Sequence, residues 1–491
     1  MACEHFDVVI VGAGLSGIGA GYHLQTRCPD RSYVILENRQ AIGGTWDIFR
    51  YPGIRSDSDM YTLGYAFKPW AGDKTIADGA SILDYVRGTA AEHGIDRKVR
   101  FGHRVTRADW STAEARWTVE AEHEGETLRF TCAFLFLCGG YYSYGGGHQP
   151  DLPGRERFQG RVIHPQAWDE GYDYSGQQVV VIGSGATAVT LVPEMAKAAA
   201  HVTMLQRSPT YMVARPSKDR LANALRRVLP AMAAYQFIRW RNVLLVATFF
   251  RLAKRQPGRV RRGLIRRVRR ALGRDYDVAT HFTPRYDPWD QRLCLVPDGD
   301  LFKAVRSGRA SVVTDQVVAF TGTGVRLASG RELPADLVVT ATGLELVVWN
   351  GIEVWVDGRK VEAGRTLAYK AMMFEGVPNM ALAFGYTNAS WTLKADLTCA
   401  FVCRILNHMA ATGLRQATPV NTDPTVEPRP WVNFTSGYVV RALERLPKQG
   451  SKPPWRMHQS YVRDVMSMRF DKLEDGVLRF SNLAKKAKAA A

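Results

Sequence analysis

The chain has 491 residues, of which 46% are hydrophobic and 23% charged, a composition typical of a globular protein with more than one domain. Its seven cysteines are odd in number and scattered, which argues against a disulfide framework, a redox dithiol or a metal site, and favours a cytoplasmic protein. The formal net charge of +18 comes almost entirely from one segment, so nucleic acid is not expected as a partner.

A glycine-rich motif follows the first predicted strand, within VVIVGAGLSGIGA. Its spacing is Gly12-x-Gly14-x-x-Gly17, and the aliphatic run before it predicts a strand, a tight turn and then a helix. The next predicted strand, YVILE, ends in Glu37, and a carboxylate at this position suits a ribose 2′-hydroxyl. The start of the chain therefore predicts a site for a dinucleotide with an uncharged ribose, as in FAD or NAD.

A second motif of the same kind, Gly183-x-Gly185-x-x-Ala188, lies within VVVIGSGATAV. The strand after it ends in VTMLQRS, which puts a glutamine where an acid would stand and follows it with Arg207 and Ser208. A carboxylate here would repel a 2′-phosphate, whereas a guanidinium pairs with it. The second motif therefore predicts an NADP site.

A strongly basic segment interrupts the second nucleotide-binding region. Sixteen Arg or Lys residues and no Asp or Glu lie between Arg220 and Arg274, in an amphipathic pattern that predicts a helical insertion at about 217–280. Its longest apolar run, Val243–Phe250, is too short to span a bilayer. Two interpretations remain open: peripheral contact of residues 220–274 with an anionic membrane surface, or an insertion whose apolar side packs on its own domain.

The order of these elements predicts an α/β fold with two dinucleotide-binding, Rossmann-like domains. Residues 1–140 form the first part of the FAD-binding domain, 141–154 a Gly/Pro-rich linker, and 155–330 the NADP-binding domain with its helical insertion. The apolar strand in ELPADLVVTATG is expected to return the chain to the first domain. Residues 331–491 then complete a discontinuous FAD-binding domain and the C-terminal region, which ends in a lysine- and alanine-rich tail at 484–491.

Two longer motifs carry a family resemblance. They are FQGRVIHPQAW at 158–168, followed by Asp169, and GGTWDIFRYPGIRSD at 43–57. On both, the chain resembles the type I Baeyer–Villiger flavin monooxygenases. Segments such as FRYPGIRSDSDMYTLG, YDPWDQRLCLVP and GYTNASWTLKADL are similar to the bacterial ethionamide-activating subgroup.

The resemblance implies an enzyme that contains FAD, uses NADPH and molecular oxygen, and converts a small ketone to an ester or lactone through a peroxyflavin, with sulfur compounds as further substrates. It assigns catalytic roles to Arg292, which would stabilise negative charge on the oxygen, and to Asp57, which would hold the arginine. The motif with His164 is expected to act as a hinge or latch between the domains. Asn388 or Ser390 would cap a helix, and two interpretations remain open: the helix faces the flavin, or the cap is an ordinary one with no flavin nearby.

The cofactor-binding residues that the two motifs and the resemblance imply fall in two groups. Those expected around the first fingerprint are Gly12, Gly14, Ser16, Gly17, Glu37, Gly44, Thr45, Trp46, Asp47, Arg55, Ser56, Asp57 and Val105. Those expected around the second are Gly183, Ser184, Gly185, Ala186, Thr187, Ala188, Arg207 and Ser208. The chain departs from the family at Gln291, where many members carry a lysine for the 2′-phosphate, so Arg207 has to supply more of the preference for NADPH.

Three other functions compete with this one. A flavin monooxygenase acting mainly on sulfur or nitrogen (thioamides, thioethers, amines) would use the same cofactors. A pyridine-nucleotide disulfide reductase also has two such domains, but it needs a redox cysteine pair that the sequence lacks. A flavin-binding module without activity would not need Asp57 and Arg292.

Overall fold

In the computed structural model, which describes residues 3–432 and 434–482, the chain folds into two units joined by a pair of short strands, one built on a large mixed sheet and the other on a five-stranded parallel sheet. The lysine- and alanine-rich end at 484–491 lies outside the described residues. The fold class expected from the sequence, α/β with two Rossmann-like units and a basic helical insertion in the second, is confirmed.

The first part of the chain builds most of the larger sheet. Its strands are β1 (Glu4–Val11), β2 (Tyr33–Leu36), β3 (Val99–Arg100), β4 (Arg104–Ser111), β5 (Arg116–His123), β6 (Glu126–Leu137) and β7 (Tyr142–Gly147). Its helices are α1 (Leu15–Arg27), α2 (Thr45–Ile48), α3 (Met60–Leu63) and α4 (Gly79–Glu92). Strand β1 is buried along its second half because it pairs in parallel with β2 on one side and β6 on the other.

The middle of the chain builds the second unit. Its strands are β8 (Arg161–Ile163), β9 (Gln178–Ile182), β10 (His201–Gln206), β11 (Met212–Arg215), β12 (Cys294–Pro297), β13 (Ala310–Thr314), β14 (Val317–Phe320), β15 (Gly324–Leu327), β16 (Glu332–Pro334) and β17 (Leu337–Thr340). Its helices are α5 (Ala186–Met195), α6 (Arg220–Val228), α7 (Ala231–Arg255), α8 (Pro257–Leu272), α9 (Val278–Phe282) and α10 (Asp300–Arg306). Five strands form a parallel sheet in the order β13-β10-β9-β17-β8, and helices α6 to α9 are the insertion.

The last part of the chain returns to the larger sheet. Its strands are β18 (Leu344–Leu346), β19 (Glu353–Val356), β20 (Arg359–Lys360), β21 (Ala368–Tyr369), β22 (Met373–Phe374), β23 (Met380–Leu382), β24 (Gln416–Pro419), β25 (Pro428–Pro430), β26 (Lys448–Gly450) and β27 (Leu478–Ser481). Its helices are α11 (Trp391–Thr412), α12 (Gly437–Val440) and α13 (Tyr461–Arg469). Strands β19 and β23 pair in parallel with β4 and β6, and the long helix α11 packs beside α1. We call the larger sheet with its helices the first unit, and the five-stranded sheet with its helices the second unit.

Two antiparallel strands connect the units. The chain leaves the first unit through β7 and comes back through β18, and these two strands pair with each other. The connection is held further by Val347, whose N–H donates to the Tyr141 carbonyl at 3.0 Å, and by Thr342, whose hydroxyl donates to the His148 carbonyl at 2.6 Å.

The insertion packs across onto the first unit. The Tyr235 hydroxyl on α7 donates to the Tyr65 carbonyl at 3.0 Å. Arg239, only 2% exposed, donates to the carbonyls of Tyr61 and Gly64 at 2.7 and 2.8 Å and lies 3.5 Å from Asp396 of α11. Helix α7 therefore buries one face against the first unit as well as against its neighbours in the insertion. Among the described residues, no helix is long and apolar enough to cross a membrane.

Candidate active site

The first fingerprint forms a close-packed turn at the carboxyl end of β1. Gly12 has φ +99°, and its N–H donates to the Leu36 carbonyl at 2.8 Å. A Cβ at Gly12 would lie 2.5 Å from the Cα of Gly139, and one at Gly17 would lie 1.8 Å from the Gly12 oxygen, so neither position has room for a side chain. Helix α1 follows from Gly14 with no side-chain cap and no acid in its first turn, so its N–H groups can receive a phosphate.

Glu37 is buried immediately after β2. One of its carboxylate oxygens accepts the N–H of Ala13 at 2.7 Å, and the other accepts the N–H of Arg39 at 2.8 Å. Burial raises the pKa of Glu37, although these two N–H groups oppose the shift. The carboxylate is thus fixed beside the fingerprint turn. Together with the uncapped helix and the crowded glycines, it fits a dinucleotide with an uncharged ribose.

The GGTW loop lies directly on this turn. Gly44 has φ +56°, and a Cβ there would be 3.0 Å from the Cα of Gly14. Thr45 is exposed and Trp46 half-buried at the start of α2. Asp47 is buried and accepts hydrogen bonds from three guanidinium groups, those of Arg39, Arg50 and Arg87. These three partners show Asp47 as an anchor of the loop, and its contact with a cofactor stays a prediction.

Two more of the expected cofactor residues are Ser16, in the first turn of α1, and Val105, in β4 of the larger sheet. Trp391 at the start of α11 donates from its indole N–H to the Ser16 hydroxyl at 2.8 Å, so α11 begins next to the fingerprint helix. Ser390 is the N-cap residue of α11, as expected, but its side chain makes no capping hydrogen bond. Asn388 donates from its amide to the Gln459 carbonyl at 2.9 Å. Val105 is buried in β4, ahead of the stretch that pairs with β19.

The second fingerprint repeats the geometry of the first. Gly183 has φ +144°, its N–H donates to the Leu205 carbonyl at 2.8 Å, and a Cβ there would lie 2.4 Å from the Ala341 oxygen. Helix α5 begins at Ala186 after Gly185, again without a side-chain cap, and a Cβ at Gly185 would meet no atom within 4 Å. This helix start is therefore open to an anionic ligand.

The side chains around the start of α5 make different contacts. Ser184 donates from its hydroxyl to the Ser208 carbonyl at 3.0 Å, while Thr187 lies next to the Tyr51 hydroxyl. Ala188 is fully buried, which suits the close helix–strand packing expected of the third small residue in the fingerprint.

At the end of β10, the Gln206 side chain is buried and the Arg207 side chain that follows it is exposed. Gln206 is buried and donates from its amide to the His281 carbonyl at 2.8 Å and to the Thr314 hydroxyl at 2.9 Å. Arg207 and Ser208 are exposed. Gln206 is therefore occupied within the second unit, whereas the Arg207 guanidinium is accessible to a phosphate group.

Arg292 lies just before β12, half-buried among aromatic side chains. Burial disfavours its charged form, but Tyr141, Tyr438, Tyr142 and Asp57 outweigh that effect and raise the pKa of the guanidinium. The side chain therefore keeps its positive charge at every working pH. A fixed cation in a place of low polarity can stabilise negative charge that develops on an oxygen atom.

Asp57 shares this electrostatic environment without touching the arginine. Burial raises the pKa of Asp57, and Arg292 and then Arg55 oppose the shift. Among residues 3–432 and 434–482, no ion pair within 4.0 Å joins Asp57 to Arg292. The direct contact expected from the resemblance is therefore not seen. Arg55 is paired with Asp300 at 2.5 Å, and Ser56 accepts the N–H of Ser58 at 2.9 Å.

Three tyrosines beside Arg292 were missed from the sequence. The hydroxyls of Tyr141 and Tyr142 are 3.0 Å apart, and Tyr438 of α12 is the third phenol that influences Arg292. The Tyr141 ring stacks on Trp391, with 5.1 Å between centroids. The signal was present, because two tyrosines directly follow Gly139 and Gly140 at the carboxyl end of a buried parallel strand.

His164 lies against the connection between the units. Its Nε2 donates to the Gly343 carbonyl at 3.2 Å, and its Nδ1 accepts the N–H of Gln166 at 3.2 Å. A Cβ at Gly147 would lie 1.9 Å from the imidazole ring, so β7 passes directly over it. Burial lowers the pKa of His164, which favours the neutral ring. These contacts support a role in coupling the units.

Comparisons with known proteins agree with this architecture. Residues 10–69 match the NAD(P)-binding Rossmann-like domain, and residues 74–229 match the flavin-binding monooxygenase-like family. The chain is 56% identical to the FAD-containing monooxygenase EthA of Mycobacterium tuberculosis, over 97% of this chain and 98% of that protein. It is 50% identical to the putative FAD-containing monooxygenase MymA of the same organism, over 99% and 100%.

A solved structure shares the fold. A steroid monooxygenase bound to NADP superposes with a TM-score of 0.73, covering 85% of this chain and 88% of that chain at 23% identity. The flavin monooxygenase family predicted from the GGTW-to-Asp57 and Phe158-to-Trp168 motifs is confirmed by these relatives. The chain belongs to the FAD-containing monooxygenases, in the group of EthA and MymA.

Proposed function

We propose that the chain is an NADPH- and oxygen-dependent monooxygenase that converts ketones to esters or lactones, and that the same site oxidises sulfur compounds. Bound FAD, reduced by NADPH, supplies the activated oxygen for this chemistry. The observation that carries the proposal is the placement of Arg292, a permanently charged guanidinium among three tyrosines and Asp57.

The first unit has the features that FAD needs. The helix start after Gly14 would receive the pyrophosphate, and Glu37 would accept hydrogen bonds from the ribose. Trp391 and Ser16 join α11 to the fingerprint helix, so the positive end of the α11 dipole would face the same cofactor.

The second unit has the features that favour NADPH over NADH. The open start of α5 would receive a pyrophosphate, and the exposed Arg207 would pair with the 2′-phosphate. Gln291, whose amide donates to the Thr435 hydroxyl at 3.4 Å, adds no charge.

Ketone oxidation creates negative charge that Arg292 can stabilise. When an oxygen nucleophile adds to a ketone carbonyl, negative charge develops on the carbonyl oxygen, and a guanidinium can donate two hydrogen bonds to it. Sulfur oxidation transfers an oxygen atom to a lone pair and forms no such alkoxide. Arg292 is therefore needed more strongly for the ketone reaction than for the sulfide reaction.

The test compares two substrate classes with the FAD-loaded enzyme and NADPH. A panel of ketones and one aromatic thioether are incubated separately, and the ester, lactone and sulfoxide products are identified by mass spectrometry. Ester or lactone formation with turnover supports the proposal. Sulfoxide without ester from any ketone would establish the alternative, a monooxygenase acting mainly on sulfur, and NADPH loss without either product would refute both.

A further inference from the structure

Helix α7 presents an apolar face that the active site does not use. The helix buries Tyr235, Ile238 and Arg239 on one side, while Phe237, Trp240 and Leu244 follow one another at three- and four-residue intervals on the other. Phe237 is 58% exposed and Leu244 54% exposed. Leu221, Val228, Leu229, Met232, Leu245 and Leu252 of α6, α7 and the turn between them are exposed as well. An exposed apolar face such as that of Phe237, Trp240 and Leu244 marks an interaction site.

The helices around this face are strongly basic. Helix α8 buries only Val260, Leu264, Val268 and Leu272, and its remaining outer positions are mostly arginine. The exposed cations of the insertion are Arg220, Arg227, Arg251, Lys254, Arg255, Arg259, Arg262, Arg266, Arg267, Arg269, Arg270 and Arg274. No acidic residue lies between the first and the last of them. The partner of the apolar face must therefore be rich in negative charge.

A basic cavity lies at the start of α6. It has a volume of about 590 Å³, and Lys218, Arg220 and Arg227 are among its lining residues. Asp298 also lines it and accepts the N–H of Ser217 at 2.9 Å, but the three cations outnumber this carboxylate. Leu221 and Val228 of the same helix are exposed. Cationic side chains beside exposed aliphatic ones suit a phosphate headgroup with its acyl chains next to it.

We propose that α6, α7 and α8 dock on a bilayer of anionic phospholipids. The apolar docking face, defined as Phe237, Trp240, Leu244 and Leu245, would enter the interface, and the arginines of α6 and α8 would contact the headgroups. A second copy of the chain is a poorer partner, because it would bring another set of exposed cations with no acidic residue between Arg220 and Arg274 to match them. Nucleic acid would match the charge but not the exposed aliphatic side chains.

The experiment is flotation of the FAD-loaded, full-length enzyme with phosphatidylcholine vesicles, with and without phosphatidylglycerol. Binding is expected only with phosphatidylglycerol and is expected to fall as salt is raised. The double variant Phe237→Ser/Leu244→Ser should lower the partition coefficient by about tenfold or more, because it removes two apolar side chains from the interface. The control is Val318→Ser/Val440→Ser, which also removes two exposed apolar side chains but outside the insertion, and it should bind like wild type.

Flavin absorbance and circular dichroism are recorded for each variant, and the single variant Leu245→Ser replaces the double variant if that one loses its flavin. Failure of the wild-type enzyme to float with anionic vesicles would overturn the proposal. It would also be overturned if the control variant lost binding equally. A third outcome would also overturn it: the wild-type protein does not bind vesicles, light scattering shows a dimer, and Phe237→Ser/Leu244→Ser dissociates that dimer. This result would assign the face to a second copy of the chain.

Discussion

Replacing Arg292 by alanine removes the guanidinium beside Tyr141, Tyr142 and Tyr438. Loss of a preorganised donor to a developing oxyanion costs about 3 kcal/mol, which is about a hundredfold in rate. The structure adds a second effect, because Arg292 is the stronger of the two charges that hold down the pKa of Asp57. The other, Arg55, is already paired with Asp300. In the variant the pKa of Asp57 therefore rises further, and the Asp57 carboxyl group loses part of its negative charge.

The assay measures ester formed per NADPH consumed by the FAD-loaded Arg292→Ala enzyme with a ketone that wild type converts. NADPH oxidation is expected to continue while ester formation falls by about a hundredfold or more. Arg292→Lys keeps the charge but loses the planar fork, so its ester formation should lie between the two. Ester formation by Arg292→Ala at nearly the wild-type rate would refute the role assigned to the guanidinium. An equal loss of NADPH oxidation would show a defect in cofactor binding instead.

Three further changes test the surrounding structure. Gly17→Ala would press a methyl group into the carbonyl of the first fingerprint glycine, so the purified protein should lack flavin absorbance, whereas Gly263→Ala, in open space on α8, should keep it. Arg207→Ala should lower kcat/KM for NADPH by about tenfold to a hundredfold, the value of a charged hydrogen bond, and leave NADH unchanged; an equal loss with both would refute its contact with the 2′-phosphate. Arg239→Met should lower the free energy of unfolding by about 3 kcal/mol or more, because it removes the guanidinium paired with the buried Asp396 and the donor to the Tyr61 and Gly64 carbonyls. Arg262→Met on the exposed side of α8 should change the unfolding midpoint in urea very little.

The sequence was sufficient to predict the two nucleotide-binding turns, because their geometry depends on local residues. Gly12 and Gly183 are required by positive φ and by a backbone that passes too close for a side chain, and both conditions act over a few residues. Glu37 was predictable for the same reason, since it directly follows a short buried strand.

The burial of Arg239 was not predictable from the sequence. Helix α7 carries apolar residues around most of its circumference, so its pattern does not tell which face contacts the protein. The choice is made by carbonyl groups of Tyr61 and Gly64 and by Asp396, which are more than 150 residues away in the chain. Similarly, the separation of Asp57 from Arg292 depends on how two loops from different units are placed. The spacing of residues within a motif does not determine that distance.

The two fingerprints are linked mechanically through the strands that connect the units. The first glycine of each motif lies against the chain leaving another strand: Gly12 against Gly139 after β6, and Gly183 against Ala341 after β17. Each of those exits leads within a few residues into β7 or β18, and these two strands pair with each other under His164. Tyr141 lies on the same path, between Gly139 and β7. The packing therefore gives a continuous path from the second fingerprint through β18 and β7 to the tyrosines beside Arg292. Because packed interiors transmit small shifts, binding at the second unit can alter the geometry around Arg292 without any direct contact.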